Sequence, residues 1–185
     1  MKKVLIAGIV GGIIVFLWGA VSHMVTDSMG LKQLPNEDAA LAALRESTKE
    51  SGVYFIPGFD MSKDTTPEEE AAWDAKYQAG PTGLLVLYYP APGEQAMGPK
   101  QLVTQVLTDV LAALCLAFVL VRLPGTYGSR VLCAVVLAVF AWLTISVPYW
   151  NWYHFSTAMT RGEGIDQVVG WLLAGLAMAK IAKPV

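Results

Sequence analysis

The stretch Val147-Pro148-Tyr149-Trp150-Asn151-Trp152-Tyr153-His154-Phe155 closes a long apolar run, and five of its nine residues are aromatic. Trp and Tyr gather where hydrocarbon gives way to headgroups, because the ring is apolar while the N–H or O–H still needs a polar partner. The segment therefore reads as a membrane boundary, and the run before it, about residues 131–149, as a transmembrane helix.

Composition agrees with that reading. The 185-residue chain is 55% hydrophobic, has a mean hydropathy of +0.48 and is only 15% charged, against roughly 25% charged in an ordinary soluble domain. Working outward from the aromatic stretch, three more spans are expected. Val4 to Val25 carries no acid, Lys or Arg and follows Lys2 and Lys3. At about 1.5 Å per residue this run crosses a hydrocarbon core about 30 Å thick. Ala20-Val21-Ser22 offers small residues at signal-cleavage positions, but the run exceeds the ~7–15 residues of a signal peptide's apolar region, so an uncleaved anchor is expected. Spans over about 102–123 and 165–182 complete a set of four.

Residues 27–100 differ in character. Asn36 is placed to cap a helix that begins with Glu37 and Asp38 and stops near Gly52. Thr66, Pro67 and Glu69 spell a capping box with proline at the first helical position, and Trp73 and Tyr77 follow on one face before Gly80-Pro81. Val53-Tyr54-Phe55-Ile56 and Leu84-Leu85-Val86-Leu87-Tyr88-Tyr89, bounded by Pro and Gly, read as strands. The predicted fold is mainly α: a polytopic membrane protein of four transmembrane helices, with a small α/β extracytoplasmic cap inserted between helices one and two. The domains follow as 1–26, 27–100 and 101–185. A cap of that size has a thin core of its own, so it is expected to pack on the outer ends of the helices.

The cations set the orientation. Lys2, Lys3, Arg122, Arg130, Lys180 and Lys183 fall at the termini and in the second connection, which share one side if there are four spans. The positive-inside rule makes that side cytoplasmic. The cap, with 12 acids and 6 bases, has a net charge of −6 and lies outside. The expected location is the plasma (inner) membrane of a bacterium, multi-pass, with both termini in the cytoplasm. No basic patch points to nucleic acid.

Gly8 and Gly12 in the first span, and Gly170 with Ala174 in the fourth, form small-xxx-small patterns that permit close approach of helices one and four or of two protomers. Gln101, Gln105 and Asp109 recur every four residues in the second span, with Thr104 and Thr108 beside them. Asp109, about seven residues in, must avoid lipid, because a charged side chain at mid-membrane costs about 2.5–3.5 kcal/mol on insertion scales. His23 and Asp27, four residues apart, can share a helix face, and His154 falls at the same outer level, flanked by Trp150 and Trp152. Two imidazoles at similar depth suit a haem or metal, although no CxxCH motif accompanies them. Cys115 and Cys133 read as buried, reduced thiols. Glu68-Glu69-Glu70 reads as the favourable acidic first turn of a helix.

No Ser-His-Asp set, phosphate-binding glycine loop or cluster of Cys/His ligands occurs, so no catalytic residue and no metal site is expected. The leading expectation is a non-catalytic structural or accessory subunit that associates, through its transmembrane helices and outer cap, with other membrane subunits or as a homo-oligomer. The alternative is a protein binding haem, quinone or another lipophilic ligand near the outer surface through His23, Asp27, Gln105, Asp109, His154, Trp150 and Trp152. A third is a small transporter using Asp109.

Overall fold

The computed structural model describes residues 1–25, 30–60 and 62–183. Asp27, the expected companion of His23, lies outside them. The described residues form six helices and a two-stranded sheet. Four of the helices are long and apolar enough to cross a membrane: α1 (Lys2–Val25), α4 (Pro99–Leu120), α5 (Tyr127–Tyr153) and α6 (Thr157–Ile181). The chain divides into two units, one comprising Met1–Leu31, Gln95–Asn151 and Phe155–Val185, the other Lys32–Glu94 with Trp152–His154.

In the first unit α1 makes its closest packing with α4 and α6. The contacts are made by small residues. A methyl group at Gly12 would stand 2.6 Å from the Val110 nitrogen, one at Gly8 would meet the Leu114 side chain, and one at Gly11 would meet Met178. Gly170 of α6 packs on Trp18, Ala174 is fully buried, and Gly175 lies against Ala134 of α5. The buried cluster is accordingly rich in alanine, with Ala7, Ala113, Ala117, Ala134 and Ala174 around Leu116, Leu120 and Met178. Large apolar side chains point outward instead, among them Leu5, Leu17, Leu107, Leu111, Leu132 and Phe140.

Several helix boundaries fall outside the expected spans, and α5 already begins at Tyr127 rather than about residue 131. α4 starts at Pro99, where the Gln101 side chain accepts from the Gly98 N–H at 3.1 Å and proline fills the first helical position. α5 continues through Pro148 to Tyr153; a proline removes one backbone donor and crowds one carbonyl without forbidding the turns that follow. α6 starts at Thr157, eight positions before the expected Ile165, because the Ser156 side chain caps it by accepting from the Met159 N–H at 3.1 Å. The added turns hold Arg161, Glu163 and two glycines, which dilute the apolar signal.

The aromatic stretch is thus the last turns of α5 and its stop. His154 takes a left-handed conformation, φ 59°, which histidine tolerates better than a β-branched residue. The Phe155 N–H then returns to the Tyr149 carbonyl at 3.3 Å, and the two rings lie 5.4 Å apart.

In the second unit β1 (Gly52–Ile56) pairs antiparallel with β2 (Gly83–Leu87), Tyr54 opposite Leu85. α2 (Glu37–Ser47) ends at Thr48, short of Gly52, and Asn36 holds the N-cap position without a side-chain cap bond. α3 (Pro67–Ala79) has the full capping box: the Glu69 N–H donates to Thr66 Oγ1 and the Thr66 N–H to Glu69 Oε2 at 2.9 Å. No residue of α2 or α3 is buried. In place of a deep core, Trp73 donates its indole N–H to the Pro57 carbonyl at 3.1 Å and packs edge-on against Phe59.

Candidate functional site

With α4 beginning at Pro99, Asp109 lies ten positions into a 22-residue helix, near its middle rather than near its edge. Val110, Ala113 and Ala117 on one side of the helix face α1 or the buried cluster. A helix turns 3.6 residues per turn, so Gln101, Gln105 and Thr108 fall on the side away from α1, and all three are exposed. Gln105 Nε2 donates to Asp109 Oδ1 at 2.9 Å. Thr108 Oγ1 sits 3.1 Å from the Thr104 carbonyl and 2.9 Å from that of Gln105, so its hydroxyl hydrogen is used within the helix while its oxygen can still accept.

One turn beyond this polar group an apolar groove of about 220 Å³ runs between α4 and α5. Ala112, Cys115 and Leu116 form one wall, Ala134 and Ala138 the other, with Trp171 also lining it. Cys115 is therefore exposed on the flank of α4, contrary to the burial expected of it, because a position five residues after Val110 points away from α1. Cys133 is half-buried, and both thiols are free.

The histidines belong to different units. His23 Nδ1 lies 2.8 Å from the Gly19 carbonyl of its own helix, which assigns the proton to that nitrogen and leaves Nε2 as an acceptor. His154 Nε2 lies 2.7 Å from the Tyr77 hydroxyl, within the second unit. Tyr77 in turn stacks on Trp73 with ring centroids 5.3 Å apart, so Phe59, Trp73, Tyr77 and His154 form a continuous aromatic series ending in a phenol–imidazole hydrogen bond. That bond engages His154 Nε2 with the phenol. Trp150 donates to Thr157 Oγ1 at 3.2 Å, and Trp152 is 71% exposed. Among the described residues no three His, Cys, Asp or Glu side chains are grouped as metal ligands.

Two charged residues have surroundings that the sequence did not disclose. Arg130, expected at the edge of a loop, is only 6% exposed; its Nε and Nη2 donate to the Ala179 carbonyl at 3.3 and 3.1 Å, and Nη1 to that of Gly125 at 3.1 Å. Asp166 has a buried carboxylate oxygen without a partner among the described residues, while its backbone carbonyl accepts from the Trp18 indole at 3.2 Å.

Comparison with family models, with curated proteins and with solved structures finds no match for the chain. Its chemistry therefore rests on the geometry alone.

In the second unit the Tyr88 hydroxyl lies 2.8 and 2.7 Å from the two Glu94 carboxylate oxygens. This hydrogen bond, together with desolvation and the Glu94 charge, raises the Tyr88 pKa above its ordinary 10.0. A raised phenol pKa stabilises the neutral form, so the contribution is complete below pH 10 and is lost as pH rises through the folded-state value. The phenolate absorbance attributable to Tyr88, isolated by subtracting a Tyr88→Phe titration, is expected to appear above pH 10 and to move down in Glu94→Gln. Equal midpoints in wild type and Glu94→Gln would remove the assignment.

Proposed function

We propose that this chain is an integral membrane protein with four transmembrane helices, acting as a non-catalytic structural or accessory subunit that associates through its helices and its cap. The observation that supports this reading is the arrangement of apolar side chains in the first unit. Alanine and glycine fill the contacts between helices, while leucine, isoleucine and phenylalanine cover the outside. In water that surface would favour aggregation. In lipid, where burying leucine brings no hydrophobic gain, close backbone approach at small residues is what drives helices together.

The basic ends, Lys2 and Lys3, Arg122, and Lys180 with Lys183, favour cytoplasmic termini, and the acidic residues 27–100 then form a cap on the opposite, outer side. Sodium carbonate at high pH is expected to leave the full-length protein in the membrane pellet. A reporter enzyme that folds only outside the cytoplasm should be active when inserted at Ala91-Pro92 and inactive at the carboxyl terminus. Release by carbonate would overturn membrane integration, and an active carboxyl-terminal fusion would overturn the topology. A haem absorption band in the purified protein would replace the accessory role with cofactor binding.

A further inference from the structure

We infer that the groove between α4 and α5 binds a membrane-soluble primary amine, its ammonium head on Asp109 and its hydrocarbon tail in the groove; the inference rests on the transmembrane reading above. Along α4, Gln105, Thr108, Ala112, Cys115 and Val119 follow one another at steps of three and four residues, which keeps all five on one side of the helix. Ala112, Cys115 and Val119 line the groove, so the polar residues continue the same wall toward the start of α4. Asp109 precedes Ala112 by three positions, a rise of about 4.5 Å. Space is left in the groove because its walls are built largely of alanine: Ala112 on α4, and Ala134, Ala138 and Ala141 on α5. The volume of about 220 Å³ has no charged lining, and the indole N–H of Trp171, which also lines it, is already donated to Gln167 Oε1 at 3.1 Å. Such a space suits hydrocarbon.

The polar residues specify the head. Asp109 Oδ1 accepts from Gln105 Nε2 at 2.9 Å, while Oδ2 accepts nothing among the described residues. No Lys or Arg lies within the apolar interior of any of the four spans to answer this carboxylate, and a carboxylate in hydrocarbon without a counter-charge is costly. The missing group is a cation, and it arrives with the ligand. Within about one turn of helix three oxygens are open to a donor: Asp109 Oδ2, Gln105 Oε1 and Thr108 Oγ1, whose own hydrogen is used on backbone carbonyls. A primary ammonium carries three N–H donors, and a quaternary ammonium carries none. The site therefore favours a primary amine over a trimethylammonium of equal charge, and over an alcohol or fatty acid of equal chain length. Lipid solvates a hydrocarbon tail as well as the groove does, so the tail positions the head and the ion pair carries the selectivity.

The experiment uses the full-length chain in lipid nanodiscs and a dodecylammonium probe with a photoreactive diazirine at the far end of its chain. Peptide mass spectrometry is expected to find the label on residues 112–119 and 134–141, and unlabelled dodecylamine is expected to displace it. Trimethylammonium, alcohol and carboxylic acid probes of the same chain length should label those residues roughly tenfold less, since they lack either the N–H donors or the positive charge. Asp109→Asn, which keeps the shape and drops the charge, should weaken labelling by the amine roughly tenfold. Ala112 is exposed on the groove wall, so Ala112→Phe fills the groove without overpacking the helix contacts and should abolish labelling there. Leu111→Phe, on the lipid side of α4, should leave it unchanged. Equal labelling by amine and alcohol, undiminished labelling in Asp109→Asn, or label spread evenly over Leu107, Leu111 and Phe118 would overturn the site while leaving membrane integration intact. Carbonate extraction of the protein would overturn both readings together.

Discussion

Gly12→Ala is expected to destabilise the helical unit by about 1–3 kcal/mol, the range for overpacking a filled interface. The added methyl would stand 2.6 Å from the Val110 nitrogen of α4, and backbone cannot step aside as a side chain can. The two helices would have to separate along their length, loosening Ala7, Ala113 and Ala117 in the same cluster. Gly11→Ala meets the Met178 side chain, whose three rotatable bonds allow it to yield, so its effect should be smaller. Gly19→Ala meets nothing within 4 Å and should be neutral. Unfolding in mixed detergent micelles with increasing dodecyl sulfate gives the order: Gly12 most sensitive, Gly11 next, Gly19 indistinguishable from wild type. If Gly12→Ala and Gly19→Ala unfold together, α1 and α4 do not pack as described.

That ranking marks the limit of what the amino-acid pattern discloses. The small-xxx-small spacing identifies Gly8 and Gly12 as a contact surface, yet the same spacing suits α4, α6 or a second protomer; only the Val110 and Leu114 contacts choose α4. Elements with local causes are legible. The capping box at Thr66 and Glu69 is complete because every atom it needs lies within four residues. The four apolar helices are legible for a similar reason, since a run of uncharged residues is a property of the run itself. Their ends are less so. Pro148 reads as a helix exit, yet α5 runs past it, because the cost of one lost bond is set against packing that the sequence does not display.

The polar stripe on α4 is legible as a stripe, since Gln101, Gln105 and Asp109 recur at helical spacing. Its direction is not. Nothing in the order of residues tells that Val110, one position from Asp109, faces α1 and so turns Gln105 outward. Asp166 and Arg130 are illegible for a related reason. Both stand beside span ends, where charges are ordinarily solvated and serve as topological markers. Their burial depends on partners 148 and 49 residues away, Trp18 and Ala179.

Arg130→Met is expected to cost about 1–3 kcal/mol, the consequence of leaving the buried Ala179 carbonyl without its guanidinium donors. Ala179 lies in the last turn of α6, where the final four carbonyls have no intrahelical donor and carry the negative end of the helix dipole. Two guanidinium N–H groups close that end, a third reaches the Gly125 carbonyl in the α4–α5 connection, and Tyr127 adds a bond of 2.9 Å to the Leu176 carbonyl. One side chain in the first turn of α5 therefore fixes the end of α6 and the loop before α5 together. Methionine keeps much of the volume and none of the donors. Lysine keeps the charge, but a compact ammonium cannot span two carbonyls as a planar fork does, so Arg130→Lys should recover less than half of the loss. Circular dichroism through a dodecyl sulfate titration reads both variants. Equal stability of wild type and Arg130→Met would mean that water serves those carbonyls as well as the guanidinium. Full recovery in Arg130→Lys would mean that charge at the helix end, rather than the forked geometry, is what holds α6 to α5.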